Sequence, residues 1–192
     1  MQTNPLQNYY QNRTDKNEVD VQIKSEFKDE GTSGEIILFG FTSLNDSSTS
    51  ISPEEYQMSI SFKDILTNCS MEELDEKSSP LINETRFWIE KFGIKAVNLL
   101  KMYMNSNYPN RYVLAELFEM LGDVNNQASY DDRKILLESN VNNSMPEIRY
   151  GAVLGLANMN SKTSLNILKE AFSSEKVPLI SNTIMTVIDL LR

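Results

Sequence analysis

Apolar and polar positions alternate along the first third of the chain. After Glu18, Val19, Val21, Ile23 and Phe27 fall on one side and Asp20, Gln22 and Lys24 on the other. That two-residue period belongs to a half-buried strand. Turn residues follow, including Gly31 and Gly34, and then Glu35 to Phe41 is apolar on both faces, as in a central strand. A Ser/Asn/Asp-rich loop runs from Leu44 to Pro53. Tyr56, Met58, Ile60 and Phe62 then alternate with Gln57, Ser59, Ser61 and Lys63, which predicts a third strand. Tyr56, Ile60 and the Ile65-Leu66 pair also fit helical spacing, so a helix over Pro53 to Asn68 competes with it.

Beyond Pro80 the period becomes helical. Pro80-Leu-Ile recurs as Pro178-Leu-Ile, and Pro109, Pro146 and Pro178 each open an apolar-periodic segment. Proline suits a first helical position, where its missing N–H would have no partner anyway. After Pro146 the stripe is Ile148, Ala152, Leu156 and Met159; after Pro178 it is Ile180, Ile184, Ile188 and Leu191. Second helices are expected between them, at Ile94 to Met104, Asp131 to Asn140 and Ser164 to Phe172. Asn/Ser/Gly-rich loops, among them Gly122-Asp-Val-Asn-Asn, join the segments.

Two of these segments resemble each other and a known pattern. Arg111-Tyr-Val-Leu-Ala-Glu-Leu-Phe-Glu-Met-Leu-Gly-Asp looks like the first-helix signature of HEAT repeats, in which a basic residue precedes small and apolar residues and a Leu-Gly-Asp ending closes the run. Ile148-Arg-Tyr-Gly-Ala-Val-Leu-Gly-Leu-Ala-Asn-Met-Asn is similar in register, with Arg149 and Tyr150 opposite Arg111 and Tyr112 and Met159-Asn160 in place of Leu-Gly. The resemblance covers about residues 80–192. It departs in its irregular repeat intervals and in Ser181, which stands where a basic residue is usual. It implies an α-solenoid of helix pairs, whose extended surface suits a protein partner.

The expected fold class is therefore α+β: a small N-terminal antiparallel β-meander followed by a HEAT-like α-solenoid. The division is 1–17 as a mobile tail, 18–68 as an acidic β-rich region, 69–80 as a linker and 81–192 as the repeats.

Composition narrows the chemistry. The chain has 192 residues and no histidine. Ser-His and Cys-His nucleophilic machinery is thereby excluded. With the single Cys69, the usual zinc ligand sets are missing too. Cys69 reads as an inert thiol in a reducing compartment. No Gly-rich phosphate loop or calcium loop is present. No apolar run is long enough to span a membrane and no signal peptide opens the chain, so a cytoplasmic location is expected. The expectation is a non-enzyme with no cofactor and no metal.

The net charge of −9 lies in one part of the chain. Residues 1–80 hold 6 Lys/Arg against 15 Asp/Glu, while residues 81–192 hold 12 of each. Nucleic acid needs a basic footprint and is excluded as a partner, whereas a basic protein fits. Glu30, Glu54, Glu55 and Asp64 are the acidic candidates for that contact. Trp88 is a candidate anchor near the junction, or else it packs inside. Arg111 and Arg149 either meet a partner carboxylate or support their own stack. Asp131 and Asp132 read as N-terminal helix charges, favourable with its dipole. The expected function is an interaction module, of the kind of a bacterial immunity or inhibitor protein that masks a basic toxin domain. The chain itself is expected to be a monomer or a weak homodimer. The rivals are a bilin lyase-like HEAT protein, resembled only in repeat type, and an assembly scaffold.

Overall fold

The structure is a computed structural model that describes residues 52–68, 80–106 and 110–192. Among the described residues every regular element is helical: α1 (Pro53–Asn68), α2 (Pro80–Phe92), α3 (Ile94–Ser106), α4 (Arg111–Asp123), α5 (Tyr130–Glu138), α6 (Pro146–Asn158), α7 (Leu165–Ser174) and α8 (Pro178–Leu191). Short 3-10 turns, Gln127–Ser129 and Lys162–Ser164, lead into α5 and α7.

The expected α+β class is thereby corrected. Its third strand, Tyr56 to Lys63, lies inside α1. Its first two strands, at 18–41, fall outside the described residues, as do the 1–17 tail, Glu30 and Cys69. In α1, Met58, Phe62, Ile65 and Leu66 are all buried, while Tyr56 and Ile60 are exposed. A strand would have placed Tyr56, Met58, Ile60 and Phe62 on one face; a helix separates them. The local signal for the helix is a capping box. The Ser52 N–H donates to Glu55 Oε2 at 3.0 Å, and the Glu55 N–H donates to Ser52 Oγ at 3.1 Å. Both donors would otherwise lack a partner at the helix start.

The remaining helices pack in chain order. α2, α4, α6 and α8 each lie against the next, with α3 beside α2, α5 beside both α4 and α6, and α7 beside α8. α3 also touches α5, and α1 packs on α2 and α3. A continuous apolar core runs between them, from Met58 and Phe62 through Val97, Leu117 and Leu156 to Ile184 and Leu191.

Three glycines bring α4 and α6 together. A Cβ on Gly151 would strike the Ala115 backbone, one on Gly155 would strike the Phe118 carbonyl, and one on Gly122 would strike the Gly155 carbonyl. Each glycine costs a helix about 1 kcal/mol relative to alanine. The close contact of two backbones offsets that cost through dispersion and Cα–H···O contacts. Gly122 is thus a helical packing residue and not part of a loop. Its counterpart in the resemblance, Asn160, does the work of a helix-ending glycine: its φ is 50°, and it completes a Schellman close. The Ser161 N–H reaches Leu156 O at 3.2 Å and the Asn160 N–H reaches Ala157 O at 2.9 Å.

Gly93, at φ +54°, plays the same part between α2 and α3. There Asn126 joins two turns. Its Nδ2 donates to Glu90 O at 3.0 Å, and its Oδ1 accepts from the Ser129 N–H at 2.9 Å.

Candidate functional site

The two arginines singled out by the repeat register both bond within the helical stack. Arg149 makes a bidentate pair with Glu175, Nε to Oε2 at 2.6 Å and Nη2 to Oε1 at 2.8 Å, with the Glu175 side chain only 3% exposed. Its Nη1 donates to Asn143 O at 2.9 Å, so the loop before α6 is tied to the loop before α8. Burial would push the Glu175 carboxyl up. Its hydrogen bonds with Arg149 and the Val177 N–H, the Arg149 charge and the Lys176 N–H outweigh burial and hold it below its ordinary value. A depressed carboxyl stabilises the fold above the unfolded value, about 4.3, and loses that contribution as pH falls through the lower folded value. Glu175→Gln is therefore expected to cost about 2 kcal/mol at pH 7. The gap from the parent protein should close in acid, as urea denaturation at a series of pH values would show.

Arg111 meets Glu147 at 3.2 Å and stacks on the Tyr112 ring, 5.1 Å from its centre. About half of the Arg111 side chain is exposed, whereas that of Glu147 is buried.

Glu54 pairs with Lys91 at 2.6 Å and Glu55 with Lys95 at 2.8 Å, joining α1 to α2 and α3. The Glu55 carboxyl is held down first by its hydrogen bond with Lys95 and then by the Ser52 N–H. Both glutamates thus have partners within the chain. Asp64 is exposed on α1. Trp88 is half-buried and packs against the core, stacked on Phe92 at 5.9 Å and edge-on to Phe87 at 5.0 Å. The aromatic exposed beside it is Phe87, with Lys91 over its ring. Asp131 and Asp132 occupy the first turn of α5.

Two features escaped the sequence reading. One is Arg133, which is 2% exposed. It donates from Nε to Ser129 Oγ at 3.1 Å, from Nη1 to Leu121 O and from Nη2 to Asn126 O at 3.0 Å. A guanidinium here satisfies carbonyls at the C-terminal end of α4, where the helix dipole favours a cation. Burial lowers its affinity for the proton, yet an arginine remains charged at any ordinary pH.

The other is an acidic face on α4. Glu116, Glu119 and Asp123 recur at helical spacing on α4, and the first two act on Tyr150 of α6. Burial, and then the Asp123 charge, push the Glu119 carboxyl up. Burial followed by Glu119 and Glu116 pushes the Tyr150 hydroxyl up. Arg86 lies 3.9 Å from Asp123. A raised folded value means that the Glu119 charge opposes folding, so stability falls as pH rises above the unfolded value, about 4.3. Glu119→Gln is expected to raise the thermal midpoint at pH 7, with the gain vanishing below about pH 4.3.

A cleft of about 370 Å³ opens between α3, α4, α5 and the start of α6. Leu114, Phe118, Leu136 and Ile148 line it, with Lys101, Asn140 and Asn143 among its polar residues. Among the described residues no cluster of acidic or thiol side chains could hold a metal, and no helix is long and apolar enough to cross a membrane.

Comparisons with protein-family models, with curated proteins and with solved structures returned no match to this chain.

Proposed function

We propose that this chain is a non-enzymatic interaction module of HEAT-repeat type, which binds and masks a basic protein domain in the manner of a bacterial immunity protein. The observation that carries this reading is the serial packing of α2, α4, α6 and α8, with an acidic, tyrosine-bearing face on the middle pair. Serially stacked helices offer an extended surface, which suits a protein more than a small substrate. Burial and the Asp123 charge disfavour the ionised form of Glu119, so a cationic partner would relieve repulsion there. The contact then extends from the acidic candidates Glu30, Glu54, Glu55 and Asp64 to α4, with Glu54 and Glu55 also paired with lysines of this chain.

Calorimetric titration against a panel of purified basic nuclease domains tests the proposal. One of them should form a complex that weakens by tenfold or more between low and physiological salt, as charge-steered contacts do. The double variant E116Q/E119Q should weaken it further while the protein stays folded. If no domain binds, or if binding ignores both salt and the double variant, the reading fails.

A further inference from the structure

We draw no further inference here: the strongest candidate, the cleft of about 370 Å³ between the C-terminal halves of α3 and α5 and the first turn of α6, carries nothing because its Asn140 and Asn143 amides already donate to Leu136 O and Asn140 Oδ1, its Lys101 sits beside Asp132, and nothing in the structure shows what covers its apolar floor.

Discussion

Gly151→Ala is expected to destabilise the protein by about 3 kcal/mol, although it places the best helix former inside a helix. Propensity alone predicts the opposite sign, a gain of about 1 kcal/mol. The new methyl group would lie against the Ala115 carbonyl oxygen, carbonyl carbon and Cα, all of them backbone atoms. No rotamer change can relieve such a clash, so α4 and α6 must separate and the core between them must loosen. For a chain of this size the loss corresponds to a fall in thermal midpoint of about 6–12 °C, measurable by calorimetry. Gly155→Ala meets a partly softer wall, since Leu137 side-chain atoms share the contact with the Phe118 carbonyl. Its loss should be the smaller of the two. An unchanged or higher midpoint for Gly151→Ala would mean that the two helices do not approach this closely.

Arg133→Met should cost about 3–4 kcal/mol. The methionine fills much of the same space, but Leu121 O and Ser129 Oγ each lose a buried donor, and Asn126 O a part-buried one. Arg133→Lys should recover only part of the loss, because one ammonium cannot reproduce a planar fork aimed at three acceptors. Urea denaturation reads both variants as a lower midpoint with an unchanged slope. A methionine variant as stable as the parent would show that these carbonyls find other partners.

How much was legible beforehand varies with the element. Pro146 and Pro178 lie in the first turns of α6 and α8, with the stripes Ile148, Ala152, Leu156 and Ile180, Ile184, Ile188 buried as their spacing predicts. Over α1 the alternation was ambiguous, since Tyr56, Met58, Ile60 and Phe62 satisfy both periods. The Ser52–Glu55 capping box was the overlooked arbiter. Gly122 read as a loop glycine because a lone glycine near a helix end usually caps it. Only the neighbouring helix shows that it is there for close approach.

The candidate site was less legible, because charge counts along a chain do not report which charges face each other. Glu54 and Glu55 looked available until Lys91 and Lys95, some 40 residues on, were found opposite them. Arg133 stands 12 residues from Leu121 and 7 from Asn126, and nothing in that separation shows that their carbonyls lie within its reach.

What the sequence determined by itself is local: the helical period after Pro80, the helix starts set by prolines, and the lack of histidine chemistry. These follow from backbone sterics and side-chain inventory, which need no partner. What only the tertiary structure decided is pairwise: that α1 is a helix packed on α2 and α3, that Gly122 joins the seat of α4 on α6, that Arg149 and Arg133 fasten the stack, and that Glu119 and Glu116 act on Tyr150. Burial and Coulomb interaction depend on distance in space, and sequence separation gives little information about that distance.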